Sequence, residues 1–450
     1  MDFLTQHIIP PTAQHMKLLE FLAVVTYVIH LPYIAMVIGS TAVSMWLSFS
    51  DHEIPNPRFA RLAGDLIEAV LGNRFTMLIL GVLPLFVLPF IYGQWFVGEP
   101  LAPLKYIVFA IPGVIVGFVM LGLYRGSFAE RKNNFLVHMG LGTTGLGILM
   151  ASYFVLLSTV ARLHDPEKWF RVKNIVILLL NWNVIWKFLF FVHLAFAMTG
   201  ALILFFLLRW SGDRATGDAE YAAFARKFGA GLGLAFCFAL PVFYLFYVFT
   251  SPDVAFDNKN YLIATAVVFV SMLIAYTFFG ALRSGRPRFG ATVFTLFIMV
   301  FVLANSYDLR AMDNANREHR RTIEQAAEKA AMEREVELET AMAAASGKNL
   351  GEETFTKVCM QCHRFEEKLV GPPLKTVLGK YNAESLKAFI LSPSKMNPEY
   401  PPMPNPGLTP AQATAVAAYE LEHYASLTSG TATTPAETQT TPAEPAVPKP

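Results

Sequence analysis

The sequence predicts an all-α protein. An eight-helix transmembrane bundle covers residues 1–310, a charged helical linker 311–346, a small all-α domain 347–427 and a disordered tail 428–450. Three observations predict it. The 450 residues are 54% hydrophobic and only 16% charged, with 38 Phe, far on the apolar side of soluble chains. Eight stretches are each apolar for long enough to cross a bilayer core, which takes ~20 residues of helix. The charges are unevenly placed, and 33 of the Asp, Glu, Lys and Arg residues fall within 310–450. A net charge of +2 gives no case for a nucleic-acid partner, and three cysteines are too few for a disulfide framework. The start, MDFLTQHIIPP, has no basic segment before a short apolar run, so no cleavable signal peptide is expected.

The spans fall at 18–48, 75–97, 104–124, 136–161, 187–209, 229–250, 261–282 and 289–309. Prolines 32, 84, 89, 112 and 241 lie inside them, which membrane helices tolerate when neighbours satisfy the freed carbonyls. Trp46, Trp95, Trp182, Trp186 and Trp210 sit near span ends, where amphipathic rings favour the interface. Residues 174–186 run straight into span 5 and make it too long for one crossing, so their first part belongs in the interface.

Orientation follows from the basic residues. The loops after spans 1, 3, 5 and 7 hold twelve, against eight on the other side, which puts both termini outside the cytoplasm. The exception is the loop from span 4 to span 5, with Arg162, Lys168, Arg171, Lys173 and Lys187. Two readings of this group stay open. It binds lipid headgroups, or Arg171 and Lys187 neutralise the acidic groups of a bound cofactor.

Residues 311–346 contain neither Gly nor Pro and are rich in Ala, Glu, Arg and Met, the composition of a polar helix ~50 Å long if continuous. The tail after Thr428 is Thr/Pro/Ala low complexity and is expected to be disordered.

The strongest chemical signal is Cys359-Met-Gln-Cys362-His363. Two thiols on one turn can add to both vinyl groups of a haem, and the adjacent His is then directed at the iron. No second CxxC or His pair supports a zinc site. Gly371-Pro-Pro-Leu374, a helix over 384–391, the loop YPPMPNPGLT and a closing helix over 410–425 complete what resembles a class I cytochrome c. Met403 is the expected sixth ligand, held in a rigid PPMP loop, and Met396 is its rival. Covalent haem is attached outside the bacterial cytoplasm, in agreement with the charge count.

Three histidines, His30, His138 and His193, lie within spans, where an ionisable residue is a functional candidate by default. His30 and His193 lie ~9–14 Å below the outer surface at 1.5 Å per residue and are candidate haem iron ligands. His138 lies near the opposite face and reads better as an interfacial residue. Ala197 and Gly200 share the face of His193, open either to a flat macrocycle or to helix packing; Gly140, Gly142, Gly145 and Gly147 stripe span 4.

NWNVIWKFLFFVHLAFAMTG and TYVIHLPYIAMVIG resemble the low-spin haem segment and the first helix of cytochrome bd oxidase subunit I, and GNRFTMLILG, IYGQW and GEPLAP resemble its second and third helices. The likeness covers roughly residues 15–210 and implies that His193 carries a low-spin haem b and His30 a high-spin one. The departures are that span 3 has no acidic residue, that no GRQPW-like motif is present, and that the loop between spans 6 and 7 is short (SPDVAFDNKN). Met272 in span 7 is a candidate partner for His193. The chain is expected to resemble relatives of that oxidase fused to a cytochrome c domain.

The expected function is respiratory electron transfer between membrane haem b groups (two, or three), fed by quinol, and one extracytoplasmic haem c. The alternative is a reductase of oxygen or nitric oxide at a high-spin haem on His30. The expected setting is the bacterial inner membrane, with the cytochrome c domain on the periplasmic side. Expected partners are the lipid bilayer, a quinol or a soluble cytochrome c, and further membrane or cytochrome subunits.

Overall fold

The computed structural model describes residues 12–96, 104–210, 218–284, 289–345, 350–394 and 400–429. Within them every regular element is helical. Two compact units emerge, residues 1–327 and 328–450.

Among the described residues, eight helices of the first unit are long and apolar enough to cross a bilayer. They are α1 (Ala13–Glu53), α3 (Arg74–Trp95), α4 (Lys105–Gly126), α5 (Phe135–Arg162), α7 (Trp182–Leu202, extended by a wider turn over Ile203–Trp210), α8 with α9 (Ala219–Cys237 and Leu240–Phe249), α10 (Asn258–Ser284) and α11 (Phe289–Ala315). The eight expected spans are all present. Pro241 explains why the sixth is split: it opens α9 where the preceding helix has stopped.

Three differences from the sequence reading have clear causes. First, α2 (Pro57–Leu71) occupies what reads as a loop. Asn56 caps it, Pro57 opens it, and Leu62, Leu66, Ile67 and Val70 bury one stripe. Second, 174–186 breaks at Leu180. A short helix α6 (Ile175–Leu179) precedes α7, whose start is capped by the Asn181 side chain. Ile175, Val176, Leu180 and Trp182 remain exposed, as an interfacial segment requires. Third, α12 (Arg317–Ala345) does not leave the bundle at residue 310. Asn316 donates to the Leu163 carbonyl at 2.8 Å, the His319 ring stacks on Phe96, and Ile323 and Ala327 are buried, so the first unit extends to Ala327.

Small residues set the helix contacts. A Cβ on Gly200 would lie 2.5 Å from the Gly229 carbonyl oxygen of α8, so the Ala197–Gly200 face serves close helix packing and is filled by backbone. Gly145 accommodates Leu121 in the same way, joining α4 to α5.

The second unit holds α13 (Leu350–Lys357), α14 (Leu374–Val377), α15 (Ala383–Leu391) and α16 (Pro410–Ser429). The closing helix therefore runs to Ser429, four residues past its expected end. The low-complexity tail beyond it lies outside the described residues. Phe355, Leu378, Leu386, Ile390 and Val416 form the small core. Gly351 lets α13 and α16 cross closely, since a Cβ there would lie 2.3 Å from the Ala415 carbonyl oxygen.

Candidate functional site

In the second unit, Cys359–Gln361 form a single tight turn. The amides of Cys362 and His363 both donate to the Cys359 carbonyl, at 3.1 and 2.9 Å, so both thiols and the imidazole project from one compact turn. Both cysteines are free and half-buried. Burial, with the Glu420 charge adding to it, pushes the Cys359 thiol up to about 12. Glu420 is itself buried on α16, which raises its carboxyl to about 7.

His363 is oriented from the segment that follows. Its Nδ1 lies 3.3 Å from the Pro372 carbonyl oxygen, which can only accept, so the ring proton sits on Nδ1 and Nε2 keeps its lone pair. Gly371 makes this possible: a Cβ there would stand 2.3 Å from the imidazole Cε1. The Gly371 amide donates to the Cys362 carbonyl at 2.9 Å and the Leu374 amide to the Arg364 carbonyl at 3.0 Å, clamping GPPL against the turn. Burial lowers the imidazole pKa, which favours the neutral ligand form.

Met403 is half-buried in a non-helical segment between two prolines. The loop is pinned beyond it. The Asn405 side chain accepts from the Gly407 amide and donates to the Leu391 carbonyl, and Gly407 takes φ +66°, a conformation glycine adopts without strain. Met396 lies outside the described residues. Two thiols, a neutral imidazole with its lone pair free and a thioether in a fixed loop fit a covalent haem c.

The bundle histidines divide by what their nitrogens do. His193 donates from Nδ1 to the Leu189 carbonyl one turn back, at 2.9 Å. Its Nε2 is thereby the lone-pair nitrogen, and the half-buried ring packs against Phe236 and Phe243 of α8 and α9. That disposition fits an iron ligand. Met272 does not accompany it: its side chain is 61% exposed on α10, facing away from the bundle interior.

His30 is fully engaged. Pro84 has no N–H to give the Leu80 carbonyl four residues earlier, and His30 Nδ1 takes that acceptor at 2.7 Å. Its Nε2 faces the Tyr153 hydroxyl at 2.5 Å. Both nitrogens are engaged in this arrangement, and an iron on His30 would have to displace the Tyr153 hydroxyl. His138 is buried, stacked on Tyr124 with Phe128 edge-on. Ser127 already donates to the Tyr124 carbonyl, so His138 Nδ1 donates to the Ser127 hydroxyl at 2.7 Å.

The two expected propionate partners are placed differently. Lys187 Nζ lies 2.7 Å from Asp308 Oδ2, the lysine 8% and the aspartate 15% exposed. The cation is therefore already matched by a protein carboxylate. Arg171 ends a short turn next to Val172 and is exposed. Asp308 went unnoticed in the sequence, and the sequence places His164 in a loop. Asp308 lies near the end of a span, and its acidic character in an apolar helix is the signal that could have found it. His164 reads as a loop residue but is wholly buried, and burial lowers its pKa to about 4.

Comparison with known proteins bears on the second unit. The cytochrome c family model matches residues 349–421. Cytochrome c-551 of Azotobacter vinelandii is 38% identical over 79 residues, which is 16% of this chain and 96% of that protein.

Proposed function

Because the chain belongs, through residues 349–421, to the cytochrome c family, we propose that it is a membrane-bound electron-transfer protein passing electrons between haem b in its bundle and one covalent haem c. The observation that carries the reading is the CMQCH turn with its pre-set His363, on the same chain as a bundle whose His193 presents a free Nε2. Cys359 and Cys362 would hold the haem c, with His363 and Met403 as axial ligands. When bound, the haem supplies one-electron chemistry, and Met–His ligation raises its potential. The protein's own part is to fix the imidazole through Pro372, admit it through Gly371 and keep water from the site.

A haem b on His193 is the first of the bundle cofactors. A second or third, on His30 or His138, is the finer part of the proposal, and His30 would have to exchange its Tyr153 contact for iron. This weighs against the rival reading, a reductase of oxygen or nitric oxide with a high-spin haem on His30. A quinol as electron donor follows from the resemblance to the oxidase subunit. A soluble cytochrome c and further membrane subunits remain the other proposed partners. The excess of basic residues in alternate loops and the need to attach haem c outside the cytoplasm support a place in the bacterial inner membrane with residues 347–427 on the periplasmic side.

A pyridine haemochrome assay tests the reading. The purified protein should give both b and c bands, and a haem-stained denaturing gel should lose its band in the Cys359→Ala/Cys362→Ala variant. A c band without any b band would reduce the bundle to an anchor, and an unchanged gel band in the double variant would sink the haem c assignment.

A further inference from the structure

A pocket of about 750 Å³ opens between the end of α5, the start of α7 and the segment that follows α9. That volume lies within the ~300–1,000 Å³ typical of small-molecule sites. Its charges divide into matched and unmatched. Lys168 Nζ pairs with Asp165 Oδ2 at 2.8 Å, so those two cancel. Arg162 and Asp253 also line the pocket, and neither makes an ion pair among the described residues.

Arg162 is the unusual one. It is 8% exposed, and its Nη2 donates to the Ile177 carbonyl at 2.7 Å, while Nε has no partner among the described residues. A guanidinium is always charged and carries five donors in a planar fork. Burying it against one neutral acceptor leaves a desolvation cost that a bound anion offsets. Asp253 differs: it is exposed, on the tight turn between α9 and α10. The pocket thus offers one cation lacking an anion and one carboxylate lacking a cation.

Its rim is apolar and turned outward. Leu180 and Trp182 line it at 71% and 67% exposed, and Phe249, next to the pocket's Thr250 at the end of α9, is 74% exposed. Large apolar and aromatic side chains left outward at the ends of spans mark the boundary between headgroups and acyl chains.

We infer that this pocket holds the headgroup of a zwitterionic aminophospholipid, phosphatidylethanolamine by class, with its phosphate on Arg162, its ammonium at Asp253 and its acyl chains over Leu180, Trp182 and Phe249. The inference stands apart from the electron-transfer reading and needs only that the bundle sits in a bilayer. It also singles out Arg162 from the basic group between spans 4 and 5, where Lys168 and Lys187 already have carboxylate partners. A soluble phosphate would match Arg162 but gain nothing from the rim. Phosphatidylglycerol would set an uncharged glycerol beside Asp253 and leave that carboxylate without a cation. A choline headgroup carries the positive charge but has no N–H to donate.

The test is native mass spectrometry of the full chain, delipidated in detergent and offered phosphatidylethanolamine, phosphatidylglycerol or phosphatidylcholine with identical acyl chains, with inorganic phosphate as competitor. The wild type should retain phosphatidylethanolamine about tenfold better than the other two, the worth of one charge-assisted hydrogen bond, and phosphate should not displace it. Arg162→Gln should lose that retention. Asp253→Asn, at an exposed position, should level phosphatidylethanolamine with phosphatidylglycerol. Equal retention of the three lipids by the wild type, or a wild-type preference in either variant, overturns the site. Displacement by inorganic phosphate overturns the lipid in favour of a free anion. If Arg162→Gln does not fold, Asp253→Asn decides alone.

Discussion

Lys187 and Asp308 meet inside the bundle, ammonium to carboxylate at 2.7 Å, on helices α7 and α11. The pair ties two spans far apart in sequence, and Tyr247 adds a third helix through the same carboxylate. Removing one partner leaves a buried charge uncompensated, which typically costs about 3–5 kcal/mol, whereas replacing both by apolar side chains is often nearly neutral. Asp308→Leu alone should therefore lower the melting temperature of the detergent-solubilised protein sharply, and adding Lys187→Met should restore most of it. Equal destabilisation in the single and double variants would mean that the ionic contact contributes nothing specific.

Gly371→Ala tests how the haem c ligand is held. The added methyl would stand 2.3 Å from His363 Cε1, closer than any real contact, so the ring or the GPPL backbone must move. The thioether links through Cys359 and Cys362 are untouched. The expected result is a protein still stained for covalent haem but with a shifted c-haem midpoint potential and a weakened low-spin spectrum. Wild-type spectrum and potential would show that the Gly371–His363 contact does not orient the ligand.

Much of this architecture was legible in the sequence because apolar length is a strong signal: no other pattern explains eight such stretches. The CMQCH turn was equally plain, since its chemistry is local. What the sequence concealed was partnership across helices. His30 reads as a ligand because a buried histidine near a proline resembles one. Only the fold shows that the carbonyl freed by Pro84 and the hydroxyl of Tyr153 claim its two nitrogens. Lys187 reads as a cation awaiting an anion for the same reason: Asp308, its match, belongs to another span. The amphipathic α2 was missed because its charges read as a loop, although Asn56-Pro57 is a start signal.

The two outer histidines should separate in a single experiment. His193→Ala removes a side chain whose Nε2 is free, and the b-to-c ratio in a pyridine haemochrome assay should fall by one haem. His30→Ala removes a brace instead, freeing the Leu80 carbonyl and the Tyr153 hydroxyl inside the bundle at about 1–3 kcal/mol each. It should lower thermal stability with the haem ratio unchanged. A lost b haem in the His30 variant would show that iron displaces Tyr153 in the loaded protein.

Glu420 gives the C-terminal unit a pH dependence of definite sign. Its carboxyl is buried on α16, and desolvation of the charged form raises its pKa from 4.5 to about 7. A carboxyl raised in the folded state is protonated there while the unfolded chain has already released its proton. Folding is therefore unpenalised below pH 4.5, loses stability as pH rises from about 4.5 to about 7, and is flat above. The shift corresponds to roughly 3–4 kcal/mol by the linkage relation at 1.36 kcal/mol per pKa unit. Glu420→Gln keeps the shape and removes the charge, so denaturant unfolding followed at the c-haem band should show a gain of this order at pH 8 and almost none at pH 4.5. The same gain at both pH values would trace the effect to packing, and no gain at pH 8 would mean that the buried carboxylate finds compensation in the haem-loaded unit.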